Sequence, residues 1–187
     1  MIDAAFRIDA QNVVGPLNIT LEAGEAASLC LENPRAASIA ARLAAALIKT
    51  TTGTVLVGNF DAKVQPVQVK RLVGFVPVNP TTPPFKNIDA YFRFRADLWE
   101  VERSLALQRG RTFLEQCERP SDPYAIALAG ALISPCALIV WDQPRAEYIY
   151  LAKNERSAGA AILTTHAMPS QREAIAAALA SYEVMTP

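Results

Sequence analysis

The sequence predicts an α/β protein in which helices flank a parallel sheet. Short apolar runs alternate along the chain with helical segments, and the runs at 26–31 and 137–141 are almost continuously apolar. A strand that is apolar at every position has both faces buried, which is typical of the inner strands of a parallel sheet. Because helical segments follow these strands, we expect β-α units packed around one sheet.

The first half of the chain is predicted to contain an N-terminal β-strand region and one long helix. Apolar and polar residues alternate over 17–21, as in a half-buried strand. Apolar residues then recur at every fourth position over 34–48, which predicts a helix with one apolar stripe. Asn33 and Pro34 form a favourable start for this helix, because Asn accepts hydrogen bonds from first-turn amides and Pro needs no donor there.

The rest of the chain is predicted to continue the same alternation. One domain is expected over 1–187, with a small, reduced helical lobe at about 84–122, where aromatic and apolar residues recur at helical spacing. The remaining predicted elements are strands at 54–57 and 72–78, two helices between 87 and 116, a helix at 124–133, a helix at 145–156, a strand at 160–165 and a helix at 169–180.

Composition argues against several classes of protein. Eighteen basic residues balance eighteen acidic ones without a basic cluster, so we expect no nucleic acid or anionic lipid as a partner. Three widely separated cysteines lack the paired spacing of a metal site and are interpreted as small buried apolar residues. No apolar run approaches the roughly eighteen residues of a membrane span. We therefore expect a cytoplasmic chain without direct membrane insertion.

Short motifs in the chain follow one another in a fixed order and spacing. They are the turn Gly24-Glu25, the apolar strand after it, Gly53-Thr54-Val55, the stretch 71–77 reading Arg-Leu-Val-Gly-Phe-Val-Pro, the alanine-rich helix around 127–132, the strand-terminal Asp142 and the pair Thr165-His166. In this order they resemble the ATP-binding subunit of ABC transporters over most of the chain.

The resemblance implies a P-loop NTPase-like sheet with ATP and magnesium as ligands. It also implies an intact ABC ATPase or a membrane permease as the partner, the ability to dimerise, and a location at the inner face of the membrane through that partner.

The segment that aligns with the family's phosphate loop, residues 32–38, lacks most of the residues that bind phosphate. A phosphate loop needs glycines that let backbone amides converge on phosphate oxygens, a lysine, and a Ser or Thr that ligates magnesium. Of these, only Ser38 remains. With about three charge-assisted hydrogen bonds missing, we expect the affinity for ATP to fall by roughly three orders of magnitude or more. The glycine positions fall on Leu31, Pro34 and Ala36, and the lysine position falls on Ala37.

Two further departures indicate the same loss. The family's catalytic base aligns with Gln143, whose amide cannot accept a proton from an attacking water. The family's signature sequence aligns with 118–122, which reads Glu-Arg-Pro-Ser-Asp. We therefore expect no catalytic residue, and no cofactor unless residual binding of ATP and magnesium survives.

Four residues remain as candidates for nucleotide contact. The resemblance implies that Ser38 and Asp142 ligate magnesium, that His166 contacts the terminal phosphate, and that Phe6 stacks on adenine. The alternative is structural. Asp142 and His166 would then be hydrogen-bonded strand ends, Ser38 would bond to backbone, and Phe6 would belong to the core. Because the phosphate loop is lost, we favour the structural interpretation for all four.

Three functions stay open. The chain is a catalytically silent ABC-type subunit that acts as a scaffold or regulator of a membrane transport assembly, or a weak ATPase or nucleotide sensor that energises such transport, or a cytosolic interaction protein unrelated to transport. In the family, each ATP site of a dimer combines the phosphate loop of one chain with the signature of the other. This chain has neither, which favours the scaffold or regulator.

Overall fold

A computed structural model describes residues 2–7, 13–151 and 159–167 of the chain. Its elements are, in chain order, β1 (Ile2–Arg7), β2 (Val13–Leu17), β3 (Ala26–Cys30), α1 (Pro34–Ala44), β4 (Thr52–Thr54), β5 (Leu56–Val57), β6 (Phe60–Asp61), α2 (Pro66–Leu72), β7 (Val73–Val76), α3 (Ile88–Trp99), α4 (Arg103–Glu115), α5 (Pro123–Leu132), β8 (Leu138–Asp142), a short 3₁₀ helix (Ala146–Leu151) and β9 (Ala161–His166).

The central sheet has four parallel strands in the order β3-β9-β8-β7. The two strands predicted from their continuous apolar runs, β3 and β8, both belong to it. Strand β9 separates them in space although it is the last of the described strands along the chain, so the sheet is built by crossover connections as parallel sheets require. The predicted parallel sheet is confirmed.

Helices cover both faces of this sheet, which explains why its strands are apolar throughout. On one face, Val140 and Leu163 pack against α1, whose Ala41 and Ala44 are buried. On the other face, Ile139 and the ring of Trp141 pack in the cluster that contains α5. Alanines on α1 let the helix lie close to the sheet, because a methyl group is the smallest side chain that still excludes water.

The predicted helical lobe contains α3 and α4, which pack against each other and against α5. Two arginines from this lobe bind the carboxyl end of α5. Arg95 Nε donates to Gly130 O at 3.1 Å, and Arg109 Nε donates to Leu132 O at 3.2 Å. The last carbonyls of a helix have no partner within the helix and carry the negative end of its dipole, so cations stabilise them.

Two small antiparallel sheets complete the described chain. Strands β2, β1 and β4 form the predicted N-terminal β-strand region, in the order β2-β1-β4. Strands β5 and β6 form a hairpin around Gly58 and Asn59, both of which have positive φ. Among the described helices, none combines the length and the apolar character needed to cross a membrane.

Several predicted boundaries were wrong. The strand expected at 17–21 ends at Leu17, and the residues after it pack on the core without pairing. The helix expected at 34–48 ends at Ala44, because Ala46 adopts a left-handed φ of 54°. There, Leu47 N donates to Arg42 O at 2.9 Å and Ala46 N to Leu43 O at 3.0 Å, which closes the helix without the usual glycine.

Other elements were split, missed or replaced. The strand expected at 54–57 is divided at Val55, where the chain leaves β4 and enters β5. Helix α2 occupies the residues before β7 and was not predicted, because its seven residues are too few to show a helical period. The helix expected at 145–156 is a 3₁₀ helix up to Leu151. Its remainder, and the helix expected at 169–180, lie outside the described residues.

The close approach of α3 and α4 yields a testable prediction. A Cβ added at Gly110 would lie 2.5 Å from Cε2 of Phe92, a ring that is fully buried and cannot move aside. We expect Gly110→Ala to lower the free energy of unfolding by about 1–2 kcal/mol, because the overpacking outweighs alanine's better helix propensity. Urea unfolding measures it. Gln108→Ala, at an exposed site on the same helix, is the matched control and should not destabilise. Equal stability of the two variants would contradict this packing.

Candidate functional site

The candidate site lies at the carboxyl edge of the central sheet, where β3, β8 and β9 end. Ligands of open parallel sheets bind at this edge, and a helix that starts there directs its free amides toward the ligand. The segment after β3 stays attached to the sheet, since Leu31 N donates to His166 O at 2.8 Å. It then leads directly into α1.

Two amides at the start of α1, those of Ala36 and Ala37, are already used within the chain. The side chain of Asn33 caps the helix, accepting from Ala36 N at 2.9 Å, and the backbone oxygen of Asn33 accepts from Ala37 N at 3.0 Å. Pro34 is the first helical residue and has no amide hydrogen. The cap predicted from the sequence is therefore present, and it occupies the Ala36 amide, a donor that a bound phosphate group could otherwise use.

Ala37, at the position of the family's lysine, points into the protein. Ala37 is fully buried. Glu32, by contrast, is exposed just before the helix. The site thus has a buried methyl group where a phosphate loop has a cation, and a carboxylate beside the helix start.

Gln143 joins the first turn of α1 to the end of β8. Its backbone N donates to Thr165 O at 2.9 Å, and its φ of 49° then turns the chain away from the sheet. The side-chain nitrogen lies 3.3 Å from each of three oxygens: Pro34 O, Ser38 Oγ and Asp142 Oδ1. A left-handed backbone costs a residue other than glycine about 1–2 kcal/mol, which these contacts help to offset.

Asp142 is buried and hydrogen-bonded on the face of the sheet that packs against α1. Only 1% of it is exposed, and its Oδ1 accepts from Thr165 Oγ1 at 3.3 Å as well as from Gln143. Asp142 pairs with Thr165 in the parallel register, which places both side chains toward α1. Ser38 and Asp142 are thus brought together, as the resemblance implied, but with an amide between them.

His166 faces the opposite side of the sheet. Its Nε2 lies 2.9 Å from Thr164 Oγ1, which in turn lies 2.8 Å from Ser28 Oγ. Successive residues of a strand point to opposite faces, so His166 and Thr164 share one face while Thr165 and Asp142 share the other. The ring is 1% exposed. Asp142 and His166, which the resemblance assigns to one nucleotide site, therefore have their side chains on different sides of the sheet.

The segment aligned with the family's signature is also closed by internal contacts. Asp122 caps α5, accepting from Tyr124 N at 2.8 Å with one carboxylate oxygen. The other oxygen accepts from Arg145 Nη1 at 3.1 Å and from the hydroxyl of Tyr148 at 3.0 Å. Trp141 Nε1 donates to the Tyr124 hydroxyl. These contacts tie the start of α5 to the end of β8, and the amide of Tyr124 is no longer available for an anion.

Phe6 lies on β1, opposite Val14 of β2. Its side chain is outside the described part of the structure, so the favoured place of Phe6 in the core and the adenine contact that the resemblance implies both stay untested.

Sequence reasoning foresaw the Asn33 cap but missed the role of Gln143, which it treated only as a lost base. It also missed Thr164 and Thr165, whose hydroxyls bind His166 and Asp142. Alternation along β9 was the available signal, because two adjacent threonines in a buried strand must face opposite sides.

The residues present do not fit a magnesium-bound polyphosphate. One first-turn amide of α1, that of Ala36, and one of α5, that of Tyr124, are capped by Asn33 and Asp122. The lysine position is a buried alanine, and an amide nitrogen lies between the two oxygens that would ligate magnesium. In the described ranges, no three His, Cys, Asp or Glu residues cluster as a metal site.

Comparisons with known proteins place the fold. The chain superposes on an ATP-binding subunit of an ABC transporter with a TM-score of 0.77 and 16% identity, covering 91% of this chain and 80% of that one. It also matches the dimeric ATP-binding cassette MJ0796 bound to ADP and Pi, with a TM-score of 0.68, 16% identity, and coverage of 91% and 88%. It also matches cbiO1 from Clostridium perfringens, part of the ABC transporter complex cbiONQ. The TM-score is 0.64 and the identity 13%, with coverage of 89% of this chain and 76% of that one.

No protein-family model matches the sequence, and the search of curated proteins found no match. At these identities the structural likeness establishes the fold alone. The chain thus has the fold of the ATP-binding domain of ABC transporters, as the motif order predicted.

The cap of α1 gives a second prediction. Asn33→Ala removes the acceptor of the Ala36 amide and should lower the free energy of unfolding by about 1 kcal/mol. Asn33→Asp is the matched control, since aspartate caps equally well and should keep the stability of the wild type. Thermal melting with and without ATP measures both. An Asn33→Ala variant that melts like the wild type would show that the cap contributes nothing.

Asp122 gives a third prediction, which concerns pH. The Tyr124 amide first, then the Tyr148 hydroxyl and the Arg145 guanidinium, hold the pKa of Asp122 below its usual range. Because the folded-state pKa lies below the value of about 3.9 in an unfolded chain, the stabilisation is complete above that value and is lost as pH falls through the folded-state pKa.

Asp122→Asn keeps the cap but removes the charge. We expect its free energy of unfolding to depend less on pH than that of the wild type below about pH 5. Asp97→Asn, which breaks an exposed pair with Arg103, is the control and should stay closer to the wild type because solvent screens that pair. Urea unfolding at a series of pH values measures all three. Parallel curves for Asp122→Asn and the wild type would refute the contribution of this carboxylate.

Proposed function

We propose that the chain is a catalytically silent relative of ABC nucleotide-binding domains that acts as a scaffold or regulatory subunit of a membrane transport assembly. The observation that supports this most directly is the position of the Gln143 amide, 3.3 Å from both Ser38 Oγ and Asp142 Oδ1. Magnesium would need those oxygens in its coordination shell. A neutral donor from the chain itself stands among them instead.

The same side chain bears on catalysis. Hydrolysis of ATP needs a group that orients the attacking water and accepts its proton, and an amide has no basic nitrogen or oxygen for that task. In addition, the three acceptors around the Gln143 nitrogen hold the side chain toward α1. We infer that this residue acts as a structural link.

The partner follows from what the chain lacks. A chain with capped starts at both α1 and α5 would supply neither half of a composite ATP site. Pairing it with one intact cassette would leave both sites of the dimer incomplete, so we propose that it docks on a permease or on a completed cassette assembly at the inner face of the membrane. It would then modulate transport without driving it.

A second candidate is a nucleotide sensor, and one observation favours it. Ser38 and Asp142 are still placed together, and Gln143 contacts them at 3.3 Å, which is long for a hydrogen bond to a charged group. If the amide is displaced, the two oxygens face one another across a space open to a cation. The cytosolic interaction protein unrelated to transport has no observation of this kind in its support.

Calorimetry with Mg-ATP separates the two candidates. We expect no binding to the wild-type chain, and no steady release of phosphate from the wild type or from Gln143→Glu, because restoring a base leaves the capped helix starts unchanged. A low-micromolar dissociation constant for the wild type, or phosphate release that Asp142→Ala abolishes, would contradict the scaffold and favour the sensor. Gln116→Ala, an exposed glutamine at the end of α4, is the matched control for the substitutions at Gln143.

A further inference from the structure

A cavity of about 210 Å³ lies beside β7, the edge strand of the central sheet. We call it the β7 pocket. Two basic side chains, two aromatic rings and aliphatic residues surround it. The residues that matter for its chemistry are Leu47, Lys70, Val73, Phe75, Arg95 and Trp99.

Arg95 lines this pocket, and part of its guanidinium group is bonded within the described residues. Its Nε donates to Gly130 O at 3.1 Å, and its guanidinium carbon lies 3.9 Å from the centre of the Trp99 ring. A guanidinium has five N–H donors in one plane. With Nε bonded and one face covered, the two terminal nitrogens remain, and within the described chain no acceptor binds them. Such an edge matches the two oxygens of a carboxylate.

Among the residues that the structure describes, the side chains lining the pocket carry positive charge without an acidic partner. None of the residues lining it is acidic. The nearest acidic side chains along the chain are already paired, Glu100 with Arg71 and Asp97 with Arg103. Lys70 contributes a second cation, and in the described part of the chain no carboxylate pairs with it. Burial lowers the pKa of the Arg95 guanidinium, so a bound anion would offset part of the cost of holding this charge away from water.

We propose that the β7 pocket binds a small organic carboxylate that carries a short apolar body. The carboxylate oxygens accept from the terminal nitrogens of Arg95, and Lys70 adds a second charge. The body lies against Phe75 and Leu47. A volume of about 210 Å³ is below the roughly 300–1,000 Å³ of drug-sized sites, which suits a ligand with a single ring. This inference is independent of the proposed function, since it uses no residue of the carboxyl edge.

The test is an NMR titration of the full chain with sodium benzoate, read from the indole N–H of Trp99 and the amides of Val73 and Phe75. We expect saturable shifts at these positions. Benzamide has the same ring without the charge and should bind about tenfold more weakly or worse. Acetate has the charge without the ring and should also bind more weakly, because it cannot cover the apolar wall.

Two substitutions check the assignment. Lys70→Gln changes an exposed side chain and should weaken benzoate binding about two- to fivefold without affecting folding, because solvent screens an exposed ion pair. Arg95→Gln should weaken it at least as much, but Arg95 also binds the end of α5, so the result for Lys70 stands on its own if that variant unfolds. Arg93→Gln, at an exposed site on the same helix, is the matched control and should bind like the wild type. Benzoate binding that is unchanged in Lys70→Gln, or equalled by benzamide or acetate, would overturn the proposal.

Discussion

One side-chain amide determines the chemistry of the carboxyl edge of this sheet. The Gln143 nitrogen contacts Pro34 O and Ser38 Oγ in the first turn of α1 and Asp142 Oδ1 at the end of β8. It reaches them because its own backbone is left-handed and is held to β9 through Thr165 O. The side-chain amide has two hydrogens to donate, so this neutral donor binds at most two of the three oxygens at a time. A buried polar group that loses such a partner lowers the stability of the fold. The edge is therefore closed by bonds within the chain.

Hydrogen bonds within the chain also close the starts of four described helices. Side-chain oxygens of Asn33, Asn87, Glu102 and Asp122 accept from first-turn amides of α1, α3, α4 and α5. A first-turn amide binds either its own cap or an external anion, because each N–H has one hydrogen to donate. At α1 and α5, where the ABC resemblance would place phosphate groups, a side-chain oxygen of the chain accepts from a first-turn amide instead. The sheet and the helices that pack on it do not require phosphate, so the fold is compatible with helix starts that are capped from within the chain.

Two residues can keep the sequence order of a family's motifs although their side chains do not meet in one site. Asp142 and His166 stand at the ends of adjacent strands, as the sequence indicated, yet their side chains lie on opposite faces and bind different threonines. Two arginines show the opposite: they meet one helix end although no sequence motif predicted it. Arg95 and Arg109 bind the carboxyl end of α5, and their sequence positions in a helical lobe gave no sign of that. Arg95 in addition lines a pocket beside the edge strand β7, which no sequence motif predicted.

Local sequence alone determined the buried strands, the cap of α1 and the loss of the lysine and the base. Continuous apolar residues require burial on both faces, Asn before Pro starts a helix through contacts within three residues, and alanine and glutamine lack the necessary chemistry wherever they lie. The tertiary structure decided the rest. The end of α1 at Ala46, the break at Val55 and the order β3-β9-β8-β7 depend on which elements pack together. The contact of Gln143 with Ser38 spans 105 residues, and no local pattern encodes a hydrogen bond between side chains that only the folded sheet brings together.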